Sequence, residues 1–322
     1  MNVKVNAADT DTVLHKLSTT YSDFIDELTL KSHGISYFAH FLTPDLECIG
    51  SSMTEAQAEE CFKVYFWGVL ERCHITSITS LARTNRWLKA SLSQYEAGNL
   101  LGFSASLRGL LEAAADTHDA SSIMVDQLYN LFPFIYLRVA KENQTAPLPL
   151  LEDLEDRLIH YSYARRQAKG SSPLPQHTNK TNTEYIRVIE KSGAVGAKDL
   201  YQLLCELTHP AAPSVSCFLN EREREILLDF SQDERIINEV VSDYAEALNA
   251  LVMGTVNSAL VSIVILDKMG LTVPAPFQEY FSGIPSAMNI FARIDEFLIK
   301  ASVEGFVFSE EMWHYKSQVY KP

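Results

Sequence analysis

Apolar residues recur along this chain every three or four positions, the spacing that gathers them on one face of an α-helix. Almost nothing alternates with the period of two that a half-buried strand needs. Between residues 12 and 30 the stripe runs through Val13, Leu14, Leu17, Tyr21, Phe24, Ile25 and Leu28. A second helix is predicted over 54–77, with Thr54 as its cap and Cys61, Val64, Tyr65, Val69 and Leu70 along it. Others are predicted over about 78–95, 103–116, 121–140, 184–191 and 197–209, the last stopped by Pro210 and Pro213. The longest is predicted over 232–269, ending at Gly270. A Pro-rich connector at 273–277 then leads to shorter helices at about 286–302 and 309–319. Two loops interrupt the pattern, 143–149 with two prolines and the polar 167–182, expected to be exposed and mobile. No Asn-Gly or Asp-Gly hairpin turn and no internal repeat is present. The chain therefore reads as all-α, one 322-residue domain: a helical bundle with one long central helix, a core over about 54–269 and a C-terminal helical extension over about 271–322.

Charge narrows the function classes. Lys and Arg number 27 against 41 Asp and Glu, a formal charge of −14. Spread evenly, that charge repels nucleic acid and anionic lipid. It is not spread evenly. Residues 157–191 hold seven basic side chains (Arg157, Arg165, Arg166, Lys169, Lys180, Arg187, Lys191) and two acidic ones (Glu184, Glu190), a net of +5 that leaves −19 on the rest. Five cysteines (Cys48, Cys61, Cys73, Cys205, Cys217), odd in number and without C-x-x-C spacing, read as reduced or buried thiols of a cytosolic protein. The first 17 residues lack the apolar stretch of a signal peptide, so a cytoplasmic location is expected. Residues 247–266 carry no charge and are long enough to span a bilayer. Asn249, Gly254, Thr255, Asn257, Ser258 and Ser262 within them, with Asp243, Glu246 and Asp267 flanking, favour a buried helix and no membrane.

Three constellations carry candidate chemistry. Arg108, Glu112 and Asp116 stand at i, i+4 and i+8, opposite Leu107, Leu110, Leu111 and Ala114. Glu112 can brace the Arg108 guanidinium toward a phosphate or carboxylate, or the pair can be an ordinary surface ion pair. Tyr201, Cys205 and His209 share a face in the same way. At a helix C-terminus His209 is placed to move a proton, to hold a phosphate or to cap the helix. Third, Arg165, Arg166 and Lys169 run into a loop with His177 and Lys180, able to reach RNA or an acidic partner, or to remain a solvated helix end. Cys205 and His209, with Cys217 eight residues on, lack the paired motifs of a zinc site, so no metal is assigned. There is no G-x-S-x-G, P-loop or dinucleotide fingerprint, and no cofactor is expected. Trp67, Trp87, Phe103, Tyr129, Phe132, Phe134 and Tyr136 read as core filling. Asn249 and Asn257, two turns apart, either line a polar pocket or serve helix packing.

The segment L-R-G-L-L-E-A (107–113) together with Y-x-x-L-C-E-x-x-H-P (201–210) resembles a set of bacterial all-α proteins. These in turn resemble the HEPN superfamily of helical bundles. The resemblance covers about the middle third of the chain. It implies a metal-independent ribonuclease fold in which an R-x4-6-H motif, often assembled across a dimer, works with a polar residue from a second helix. Carried over, His209 is the family histidine, and Glu112 or Arg108 the polar contribution. The positions that would supply the family arginine are Gln202, Leu203 and Leu204, and none of the nine histidines has an arginine at that offset. The expected function is thus a HEPN-like cytosolic binding or assembly protein without catalysis of its own. It is expected to be homo-oligomeric, with a possible protein partner, in a bacterial toxin–antitoxin or phage-defence setting. The alternative is a divergent ribonuclease in which Arg108 stabilises the phosphorane, His209 moves a proton and Glu112 orients Arg108.

Overall fold

Ten α-helices and one β-hairpin make up the described residues of the computed structural model, which are 12–37, 55–139, 141, 151–166, 174–209, 212–276 and 278–303. Outside them fall the first eleven residues, Cys48, the predicted 143–149 loop, Lys169, Pro210 and the helix predicted over 309–319. The helices are α1 (Val13–Lys31), α2 (Glu55–Glu96), α3 (Leu100–Val139), α4 (Glu152–Tyr163), α5 (Asn182–Lys191), α6 (Ala197–Thr208) and α7 (Ala212–Ser216). After the strands β1 (Leu219–Arg222) and β2 (Glu225–Leu228) come α8 (Gln232–Asp243), α9 (Ala245–Lys268) and α10 (Pro285–Ala301). The molecule is an all-α helical bundle.

Element lengths differ from the sequence reading for identifiable reasons. The two helices predicted over 54–95 are one 42-residue helix, α2. Its polar stretch holds Thr76, Ser77, Ser80 and Thr84, all buried, and the Ser77 hydroxyl turns back to the Cys73 carbonyl at 2.9 Å instead of ending the helix. Likewise α3 runs for 40 residues through buried Thr117 and Ser121 and through Pro133. The long helix predicted over 232–269 is two helices that part at Tyr244 (φ −108°, ψ 17°), whose ring lies 3.7 Å from where a Cβ on Gly196 would stand. No proline or glycine announces that break; a contact far along the chain accompanies it. Gly196 itself sits at φ +91°, a conformation that favours glycine, and opens α6.

The hairpin has antiparallel register Leu219↔Leu228 to Arg222↔Glu225 and turns through Glu223 and Arg224. Having no glycine in its turn, it gives no signal in the sequence. The described half of the 167–182 loop is mostly exposed, with Gln176, His177 and Asn182 half-buried, and it is also tied down. Arg165 N–H donates to the His177 carbonyl at 3.2 Å, and Asn179 N–H to the Arg165 carbonyl at 3.4 Å.

The chain forms two compact units, each discontinuous in sequence, and α2, α3 and α9 contribute a stretch to both. In the first (residues 1–30, 79–119 and 180–257), the α1 stripe Leu14, Leu17, Tyr21, Ile25 and Leu28 is buried, as are Leu107, Leu110 and Leu111 of α3 and Leu200, Leu204 and Leu207 of α6. Each such side chain contributes roughly 1.5–3 kcal/mol on burial. Asn85 adds a polar tie, donating to the Ser22 carbonyl at 3.2 Å and to Asp26 at 2.8 Å. In the second (31–78, 120–179 and 258–322), aromatic rings pack among aliphatic side chains: Phe132 meets Phe297 edge-on at 6.0 Å and Phe281 meets Phe291 at 5.1 Å. Among the described residues α9 is the one helix long and apolar enough to cross a membrane, and 67% of its apolar window is buried.

Candidate functional site

The candidate site lies in the first unit, where α3 and α6 each present a polar edge beside a buried leucine stripe. Leu107, Leu110, Leu111 and Ala114 turn inward and leave Arg108 and Glu112 on the adjoining face, one helical turn apart. On α6, Leu204 and Leu207 are buried, and Tyr201, Cys205 and Thr208 stand half-buried next to them.

Arg108 joins the two helices. Its Nε donates to Glu112 Oε1 at 2.9 Å and its Nη1 to Thr208 Oγ1 at 3.3 Å. The guanidinium carbon is 5.8 Å from the centre of the Tyr201 ring. The Tyr201 hydroxyl donates to the same Glu112 oxygen at 3.1 Å, so that one atom receives both groups. The Arg108 and Glu112 side chains are 27% and 30% exposed, enough for a ligand to reach them. Burial opposes the charge of Arg108, but the hydrogen bond and charge of Glu112 outweigh it and hold the guanidinium more firmly protonated than usual. Burial raises the pKa of the Tyr201 phenol; Asn182 lowers it through a hydrogen bond, and Cys205 and Glu112 raise it further. With Nε and one N–H of Nη1 engaged, the second Nη1 hydrogen and the two on Nη2 are the donors that could meet an anion, and the Glu112 charge beside them weakens that attraction.

The structure brings together Arg108, Glu112 and Tyr201 among the expected site residues and adds Thr208, which sequence reasoning did not single out. Its spacing was informative: seven residues after Tyr201 is two helical turns, on the same side of α6. Asp116 is not part of the cluster; it pairs with Arg83 at 2.7 Å. His209 is the exposed C-cap of α6, with an extended backbone (φ −80°, ψ 148°) and its N–H donating to the Cys205 carbonyl at 2.9 Å. It stands immediately after Thr208, the residue that Arg108 touches.

The basic island divides between the units, 157–179 in the second and 180–191 in the first. Arg165 and Arg166 are exposed. Lys180 is committed elsewhere, paired with the buried Asp119 at 2.5 Å and lying 5.6 Å from the Tyr185 ring. Asn249 is exposed whereas Asn257 is half-buried and hydrogen-bonds Tyr21, so the two do not line a common pocket. Of the aromatic residues assigned to the core, Trp87 is an exception: it is 40% exposed and lies on Gly109 of α3. Among the described residues no group of three or more His, Cys, Asp or Glu is placed to hold a metal ion.

No protein family, curated protein or solved structure matches this chain. Fold and site define a class: an all-α helical bundle in which an arginine, braced by a carboxylate, a phenol and a threonine hydroxyl, links two helices.

Proposed function

We propose that this chain is a helical binding or assembly protein without catalysis of its own, cytoplasmic and homo-oligomeric. The observation that carries this reading is the internal commitment of Arg108. It is the arginine that could substitute in space for the one missing from the R-x4-6-H spacing, yet Glu112, Thr208 and Tyr201 use it to tie α3 to α6. The HEPN-like core and the toxin–antitoxin or phage-defence setting rest on the sequence resemblance alone. For RNA, Arg165 and Arg166 are exposed cations, whereas Lys180 is paired with Asp119.

A second reading, a metal-independent ribonuclease using Arg108, Glu112 and His209, draws support from one contact: Arg108 reaches Thr208, next to the exposed His209. Labelled single-stranded RNA incubated with the protein in EDTA separates the two. The binding reading expects no cleavage by the wild type. It also expects Arg108→Ala to lower the melting temperature by a few degrees and His209→Ala to leave it unchanged. Cleavage that disappears in His209→Ala at unchanged melting temperature overturns it in favour of the nuclease.

A further inference from the structure

The β-hairpin of the first unit ends in an open edge whose chemistry defines what could pair with it. Asp229 N–H donates to the Phe218 carbonyl at 2.9 Å, which makes 218 and 229 a hydrogen-bonded pair. Every second pair of an antiparallel ladder is of that kind, so Leu227 and Glu225 also turn their backbone groups toward β1. Ile226 and Leu228 turn theirs outward, and among the described residues β2 pairs with β1 alone. The side chains sort by the same alternation. Ile226 and Leu228 share one face and are 66% and 71% exposed. Glu225, Leu227 and Asp229 occupy the other face: acidic, apolar, acidic, with the charged Asp229 carboxylate also accepting from Ser231 and Asn220. Residues 221–239 hold seven acidic and three basic side chains, so the surroundings carry the same sign. An exposed apolar strand edge invites another strand unless something covers it.

In the register that pairs Ile226 with Leu228, a second copy of this chain is a poor occupant. Two β2 edges related by a two-fold axis must set outward-facing residues opposite each other. The register that pairs Ile226 with Leu228 twice also sets Glu225 against Asp229 twice, like charge on like charge. We propose that the β2 edge binds an extended segment of another protein in which a basic residue, an apolar residue, any residue, an apolar residue and a basic residue follow in order. Such a strand continues the sheet through the outward amides of Ile226 and Leu228, packs its apolar residues on their side chains and sets its cations against Glu225 and Asp229.

The proposal rests on the binding reading and gives it a partner, and the RNA assay decides that reading separately. The probe is a fluorescent peptide with core Lys-Val-Thr-Val-Lys, followed by anisotropy against the full chain. Its control is Glu-Val-Thr-Val-Glu. Saturable binding is expected for the first peptide, roughly tenfold weaker for the second. Ile226→Pro removes an outward N–H that makes no bond within the hairpin and should abolish binding; a strand edge tolerates proline there. Glu225→Lys, which leaves the backbone alone, should narrow or reverse the preference between the peptides. Absence of saturable binding, equal binding of both peptides, or a preference unmoved by Glu225→Lys overturns the proposal. So does a dimer in sedimentation that Ile226→Pro dissociates, which would assign the edge to a second copy. If the peptide fails and RNA stays intact, this surface is wrong and the binding reading stands.

Discussion

At the scale of single residues, the polar tie between α3 and α6 depends on one oxygen. Glu112 Oε1 accepts from both Arg108 and Tyr201, and Arg108 carries the link on to Thr208. With both charged side chains more than a quarter exposed, water screens the pair, and removing either should cost only about 0.5–1.5 kcal/mol. Since the two act together, the double variant Arg108→Ala/Glu112→Ala should lose less than the sum, with a coupling of about 0.5–1 kcal/mol in urea unfolding. Strict additivity would mean that the contacts contribute independently. His209→Ala, at an exposed cap, should shift stability by no more than about 0.5 kcal/mol. The Arg108–Glu112 pair was legible in the sequence because i, i+4 spacing is local. Tyr201 and Thr208 lie 89 and 100 residues from their partners, and nothing local reports such a meeting.

Among the elements, helices were legible and their ends were not. Periodicity located α1, α5, α6 and α10 nearly to the residue, because each has one apolar face and a stop signal. It divided α2 and α3 at polar stretches that turn out to be buried mid-helix. It assigned no element to α4, although buried Leu154 and Leu158 carry the i, i+4 pattern. In α5 the capping box between Thr181 and Glu184 explains why the helix begins at Asn182, two residues before the expected start. Gly109 offers a test of how elements meet. Alanine there would gain roughly 0.5–1 kcal/mol of helix propensity. Its Cβ, however, would stand 2.8 Å from three ring atoms of Trp87 on α2. The close approach should win: Gly109→Ala is expected to destabilise by about 1–2 kcal/mol and to change tryptophan fluorescence. A more stable protein with an unchanged spectrum would show that Trp87 moves aside freely.

For the molecule as a whole, the response to acid should be set in large part by His74 in the second unit. Its ring is fully buried, Nδ1 is hydrogen-bonded to the Tyr37 hydroxyl and, among the described residues, Nε2 has no hydrogen-bond partner. Burial pushes its pKa from 6.5 down to about 4. Between those values the unfolded chain takes up a proton that the folded chain refuses. The His74 contribution to stability is therefore complete above about pH 6.5, falls by up to roughly 3 kcal/mol as pH drops toward 4, and levels off below. Urea midpoints at pH 7, 5.5 and 4.5 should show this loss, and His74→Gln should flatten it; an equal slope in the variant would assign the loss to other groups. Sequence alone determined that the chain is helical and where its leucine stripes lie, because helix periodicity is a property of neighbours three and four residues apart. It also showed that no histidine has an arginine at R-x4-6-H spacing and that the basic residues cluster over 157–191. Tertiary structure alone decided that α2 and α3 run unbroken, that the long C-terminal helix breaks at Tyr244, that Arg108 is held by Tyr201 and Thr208, and that Lys180 answers the buried Asp119. It also decided that a hairpin without a turn signal exposes Ile226 and Leu228. Each of these depends on groups brought together across tens of residues, where packing and the need to pair buried polar groups outweigh local preference.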